Sequence, residues 1–148
     1  MADVAKFNAF VEQLVSKVHD LLGSGGSIDD LRLYLTNVAP DAVADVNKAD
    51  LAEIADTDTG YTAGGESVTP VGSRTLGVYS LLGTAITWTC IDAGIGPFHY
   101  AVLYNNTAAG DPLIQWWDHG EEVTLAVDET FTIRFDGEAG QGTILTLQ

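Results

Sequence analysis

Three histidines, one cysteine, a pair of adjacent glutamates and an aspartate-rich loop are the residues of this 148-residue chain with the most obvious chemical potential. His19, His99 and His119 share no metal-ligand spacing. No G-x-S-x-G or comparable motif joins a histidine to a serine or to Cys90 as a nucleophile. Glu121 and Glu122, if on a strand, point to opposite faces and do not flank one bond. Asp56-Thr-Asp58-Thr-Gly60 opens like a calcium loop, which requires a third ligand at position five, Gly at six and Glu at twelve. Gly60, Tyr61 and Ser67 stand at those positions, so the stretch reads as an Asp- and Gly-rich turn. No Gly-rich phosphate loop lies between a strand and a helix. These patterns predict no catalytic residue, no metal, no cofactor and no enzyme. The aromatic residues remain. Trp88, Trp116, Trp117, Tyr61, Tyr79, Tyr100 and Tyr104 have the chemistry of a sugar-stacking platform or of a core. Adjacent Trp116 and Trp117 face opposite ways, so at most one enters a given core layer. The other is exposed, or is covered by another element or subunit.

The elements that position these residues are mostly strands. Phe98–Tyr104 alternates, with Phe98, Tyr100, Val102 and Tyr104 on one face and His99, Ala101 and Leu103 on the other. A turn through Asn105, Asn106, Gly110, Asp111 and Pro112 returns the chain into Leu113–Asp118. Val123–Leu125 and Thr130–Phe135 read as further strands. Upstream, Leu31–Thr36 alternates strictly, Ser67–Val71 is demoted to an edge by Pro70, and Thr75–Leu82 and Ala85–Cys90 complete the set. The tail, Gly137–Gly142 then Thr143–Leu147, reads as a closing hairpin. Trp88, Phe98, Tyr100, Val102, Phe131, Ile133 and Phe135 share one alternation phase and are predicted to form one core. Lys48–Ala55 is a short helical insert. The fold class is therefore mainly β: an antiparallel β-sandwich or barrel-like pair of sheets, with an N-terminal α-helix and a short helical insert.

That N-terminal helix is predicted over Asp3–Leu22, because Val4, Phe7, Val11, Leu14, Val15, Val18 and Leu22 recur at helical spacing. Phe10 and Leu21 widen the stripe, and Gly23–Ser27 is a Gly-Ser connector that gives the helix reach. The organisation is thus residues 1–26 as an amphipathic helix with its connector, and residues 27–148 as an antiparallel β domain. The stripe must be buried, either on the chain's own sheet or against a second subunit. Packing on its own sheet is the default, and its breadth and the connector point to partial packing against another subunit as well. Phe7, Phe10, Leu14, Val18, Trp116 and Trp117 are the expected interface residues.

Composition narrows the partners. The formal net charge is −15, and the six Lys and Arg residues are scattered, whereas phosphate binding needs them clustered. Nucleic acid is therefore not an expected partner, and the acidic surface serves solvation. No apolar run approaches the roughly 20 residues of a membrane span, and the N-terminus lacks signal-peptide features. With Cys90 alone there is no internal disulfide. Synthesis and assembly in a cytoplasm are the expectation.

The segments KFNAFVEQLVSKVHDL, LRLYLTNVAPDA, KADLAEIA, GYTAGG, GPFHYAVLYNNT, DPLIQWWDHG and VTLAVDETFTIRFD, in that order, resemble a recurrent family of small tailed-bacteriophage structural proteins. The resemblance runs from Lys6 to Leu147, and LTNVAPDA, GYTAGG and GPFHYAVLYNNT carry most of it. His99 departs from it, standing where a basic residue, often Arg, is expected. What the resemblance implies is a virion component of the decoration or cement type, bound to the capsid exterior. Its partners would be the major capsid protein and copies of itself. The alternative is a tail- or fibre-associated protein that binds host surface glycans through exposed aromatics.

Overall fold

The alternating stretch at Phe98–Tyr104 forms the middle of a long strand, Ile95–Asn105, at the centre of a five-stranded antiparallel sheet. The computed structural model describes residues 3–23, 26–135 and 141–148. In chain order the elements are β1 (Asp3–Lys6), α1 (Asn8–Val15), β2 (Leu31–Thr36), β3 (Glu66–Ser67), β4 (Val71–Thr75), β5 (Val78–Thr84), β6 (Ile86–Thr89), β7 (Ile95–Asn105), β8 (Leu113–Leu125), β9 (Thr130–Ile133) and β10 (Gln141–Leu147). The main sheet has the order β1-β8-β7-β2-β3. Two smaller sheets accompany it, β10-β5-β4 and β6-β9. They dock on the main sheet through Phe131 against Phe98, Phe135 against Trp117, and Gln115 Nε2 donating to the Ile144 carbonyl. The molecule is mainly β and antiparallel, as the alternation predicts.

Several boundaries differ. Leu113–Asp118 and Val123–Leu125 belong to one strand, β8, because β7 pairs with both stretches on either side of a bulge. The tail strand β10 pairs with β5, not with its sequence neighbour β9. Residues 137–140 of the expected closing turn lie outside the described residues. The Lys48–Ala55 helix reduces to one 3-10 turn, Lys48–Asp50, capped by Asp50 Oδ2, which accepts from the preceding Asn47 N–H and Val46 N–H. Of the expected core set, Trp88, Phe98, Val102 and Phe135 are buried, and Phe131 and Ile133 pack against them. Tyr100 is only half-buried.

The largest difference is at the N-terminus, where the helix over Asp3–Leu22 shortens to eight residues. Asp3–Lys6 instead runs antiparallel to β8, with Val4 opposite Trp117 and Ala5 opposite Trp116. The open edge of β8 gives this segment backbone partners that a helix start would leave unsatisfied. At the far end Ser16 Oγ donates to the Glu12 carbonyl and Lys17 takes a left-handed φ of 63°, which stops the helix. Phe7 and Phe10 are consequently buried in the chain's own core, with Phe7 against Trp116 at 4.6 Å. Leu14 packs partly on that core, while Val11, Val15, Val18 and Leu22 are exposed. Residues 3–22 are thus built into the β structure, not set apart from it. Ser24 and Gly25 of the connector lie outside the described residues. Across them, Asp29 N–H donates to the Asp20 carbonyl and Asp20 N–H donates to Asp29 Oδ2.

Three tyrosines fix the long segment between β2 and β3. Tyr61 hydroxyl donates to Glu53 Oε1 at 2.5 Å and accepts from Leu35 N–H, where the short β3 no longer covers the edge of β2. Tyr104 hydroxyl donates to the Gly64 carbonyl, and Tyr34 hydroxyl to the Leu51 carbonyl. Lys48 Nζ pairs with Glu53 at 2.7 Å and lies over the rings of Tyr34 and Tyr104. Burial pushes the Tyr104 hydroxyl up to about 12, so it remains a donor throughout the physiological range. Gly65, at φ +68°, lies so close to the Leu33 carbonyl that a Cβ there would collide with it.

His19 closes the N-terminal segment onto the sheet. Asn105 Oδ1 accepts from Thr107 N–H and Ala108 N–H, which assigns its other side-chain atom as the amide nitrogen. That nitrogen donates to Asp29 Oδ2 at 2.7 Å and to His19 Nδ1 at 3.0 Å. His19 is therefore the neutral Nε2–H tautomer, and its Nε2–H donates to Gln13 Oε1. A proton on Nδ1 would face an N–H donor. Burial holds the imidazole below its ordinary value of 6.5, and the Asp29 carboxylate offsets only part of this. The unfolded chain therefore takes up a proton that the folded chain resists. Stability is independent of this group above its ordinary value and falls as the pH drops below it. The urea midpoint is expected to decline from pH 7 to pH 5 more steeply for the parent than for His19→Gln; equal slopes would remove His19 as the cause.

Candidate functional site

An open groove of about 700 Å³ lies between β9 and β10, over the main sheet. One cross-strand row of that sheet, Leu35, Ala101, Trp117 and Val4, contributes to its lining. These residues meet because strictly antiparallel registers stack them side by side across β2, β7, β8 and β1. Along β9 and the residues after it, Phe131 to Phe135 all line the groove; along β10, Thr143 to Thr146 do.

A wide bulge brings in the polar groups. Between the pairs Tyr100–Asp118 and Phe98–Val123, β7 advances two residues while β8 advances five. Four residues, His119–Glu122, thus stand opposite the single residue His99 and leave the ladder, and bulges re-aim side chains. His119 stands edge-on to the Phe131 ring at 5.6 Å. His99 stacks on Tyr100 at 4.6 Å, and its Nε2 lies 3.0 Å from Asp118 Oδ1. Asn37 Nδ2 donates to Glu122 Oε2 and ties the bulge to the end of β2. Among the described residues, Arg134, His99 and His119 belong to the lining.

The two tryptophans behave as adjacent strand residues must. Trp116 packs on Phe7 on one face, and Trp117 packs on Phe135 and lines the groove on the other. Each is half-buried. The six residues expected at an interface are thus dispersed: Phe7 and Phe10 in the core, Leu14 and Trp116 half-buried against it, Val18 exposed, Trp117 in the groove. Arg134 and Ile144 were not singled out by the sequence. Their only local signal is alternation, which places them on strands without saying which strands face each other.

The remaining candidates of the sequence stand apart. His19 is engaged in the network described above. Cys90 is buried between backbone bonds to Glu129 and Asp128. Glu121 and Glu122 are both exposed. The Asp58 carbonyl accepts from Asp92 N–H and Ala93 N–H, making the Asp56–Gly60 loop a clamp on the β6–β7 connection. Among the described residues, no three His, Cys, Asp or Glu side chains are grouped as metal ligands would be. No helix among them is long and apolar enough to cross a membrane. No protein-family model matches the chain, and no curated protein or solved structure is similar to it.

Burial separates the roles of two groove phenylalanines that touch at 4.9 Å. Phe98 is 1% exposed, so Phe98→Ala should cost about 3–5 kcal/mol in denaturant unfolding. Phe131 is half-buried at the groove wall, and Phe131→Ala should cost roughly half as much. Equal losses would mean that the groove is closed in solution.

Proposed function

We propose that this protein is a structural component of a bacteriophage virion, a decoration or cement protein that binds the capsid exterior as a homo-oligomer and stabilises it. The observation that carries this reading is where the resembling segments meet. LTNVAPDA contributes Leu35, GYTAGG contributes Tyr61, Gly64 and Gly65, and GPFHYAVLYNNT contributes Tyr104. These residues interlock in the tyrosine cluster through the Tyr61–Leu35 and Tyr104–Gly64 hydrogen bonds. That these segments, scattered over the sequence, make one packing unit supports reading the resemblance as one of a whole scaffold. A rigid scaffold suits repetitive docking, because little conformational entropy is lost at each site.

Self-association has a ready surface. Val11, Val15, Val18 and Leu22 are exposed along the N-terminal segment, with Val15 81% exposed. An apolar strip left in water on a highly acidic chain supports contact with another subunit. The alternative, a tail or fibre module for host glycans, draws on Trp117 and Tyr100 in the groove.

Electron microscopy of the whole particle tests the first reading. Density for this chain is expected on the capsid exterior, in copies that follow the capsid symmetry. Density confined to the tail, or absent, would overturn it. In parallel, Val11→Asp with Val15→Asp should abolish self-association in light scattering while leaving the circular dichroism and thermal unfolding of the chain unchanged. Retained association would remove this strip as the interface.

A further inference from the structure

We propose that the tip of the β4–β5 hairpin is a self-docking finger: Leu76 of one chain inserts into an apolar socket between the N-terminal segment and β5 of a second copy, which returns the contact. The inference rests on the self-association in the reading above, names the residues that perform it, and does not depend on the virion assignment.

The finger breaks the residue preference of its own turn. Thr75 pairs with Val78, so Leu76 and Gly77 form a two-residue hairpin loop. Their φ values are +49° and +82°, the two positive angles of a type I′ turn. Gly77 suits that turn, but position 76 favours Asn, Asp or Gly, because a bulky residue at positive φ is strained. Leucine gains no compensation from its own chain, being 99% exposed. Ser73 to Gly77 are all exposed, and a Cβ added at Gly77 would meet nothing within 4 Å. A strained leucine in water at the end of a projecting hairpin is accounted for by a contact outside the chain.

The same hairpin carries the socket. Leu14, Leu21, Leu22, Tyr79 and Leu147 give an apolar lining to an open pocket of about 520 Å³. Leu147, Tyr79 and Arg74 are directly opposed across β10, β5 and β4, so they share one face of that sheet. The Tyr79 hydroxyl donates to the Leu21 carbonyl, and a Cβ at Gly72 would collide with that carbonyl, so the N-terminal segment lies directly against β4 and β5. Leu76 stands four residues beyond Gly72, about 13 Å along the hairpin. A twofold axis between finger and socket carries each finger to the other copy's socket, and the contact is closed and self-complementary.

Charge favours a copy of this chain as the partner. From Ser67 to Ile91 the sequence has no Asp or Glu, and Arg74 is its only charged residue. Among the described residues Arg74 takes part in no ion pair. Two chains of net charge −15 repel weakly where they meet through such a stretch, and Arg74 complements an acidic surface opposite. Leu22 belongs both to the socket and to the exposed strip with Val11, Val15 and Val18, so the finger contact extends that surface.

Sedimentation velocity of the full chain over a range of concentrations tests this. The parent is expected to dimerise, and Leu76→Asn to weaken the dimer at least about tenfold. Asn tolerates the left-handed turn, so the thermal midpoint of the Leu76→Asn monomer should equal or exceed that of the parent monomer, which separates docking from folding. With a short bismaleimide, Leu76→Cys chains should cross-link to Leu22→Cys chains and not to Val43→Cys chains, whose site is 76% exposed. Cys90 is buried and does not compete. Undiminished dimerisation of Leu76→Asn, its failure to fold, or equal cross-linking to Val43→Cys overturns the finger and leaves self-association to the N-terminal strip. A parent that stays monomeric overturns both the finger and the self-association, while the capsid position is judged separately by microscopy. A monomeric parent whose attachment to the particle is lost in Leu76→Asn overturns it in favour of a different partner protein.

Discussion

β7 is hydrogen-bonded along both edges, to β8 on one side and β2 on the other, and the remaining structure depends on that double pairing. Its later residues, Ala101 to Asn105, are all buried, so both faces as well as both edges are covered. Each backbone group lost from such a strand would be left unpaired away from water, at a cost of about 1–3 kcal/mol. The flanking elements exist on those terms. β1 forms because β8 has an edge to spare once β7 has taken the other, and Phe7 is carried into the core by the same pairing.

Cover for one end of β2 comes from side chains instead of a strand. β3 is two residues long, and beyond it the Tyr61 hydroxyl and the Ile54 amide take over the Leu35 backbone groups. The Lys48–Glu53 pair and the rings of Tyr34 and Tyr104 then brace a segment with almost no regular structure of its own. Such a polar cluster is stabilising only when every member is satisfied. Here Glu53 Oε1 takes both Tyr61 and the Gly64 amide, and Oε2 takes Lys48.

The same economy of pairing leaves the groove. Five strands of the second layer divide into a pair and a triplet, and the division falls over Trp117. The β8 bulge then turns His119 toward the opening, while His99 and Arg134 complete its polar surround.

Alternation made most strands legible in the sequence, and β2 was read to the residue, because the two-residue period is a property of the backbone itself. Opposite facing of Trp116 and Trp117 follows from the same geometry. The apolar residues at positions 4 to 22 misled for a related reason. Helical spacing reports which residues would share a face if a helix formed, and says nothing of a competing sheet edge. Val4 was drawn into β1 beside Trp117, while Val11, Val15 and Val18 were left in water. Likewise β10 reads as a strand from its own residues, but its choice of β5 over β9 does not. Strand identity is written in local side-chain order. Strand partnership is not, because every edge offers the same N–H and C=O groups, and burial across the assembled layers selects among them.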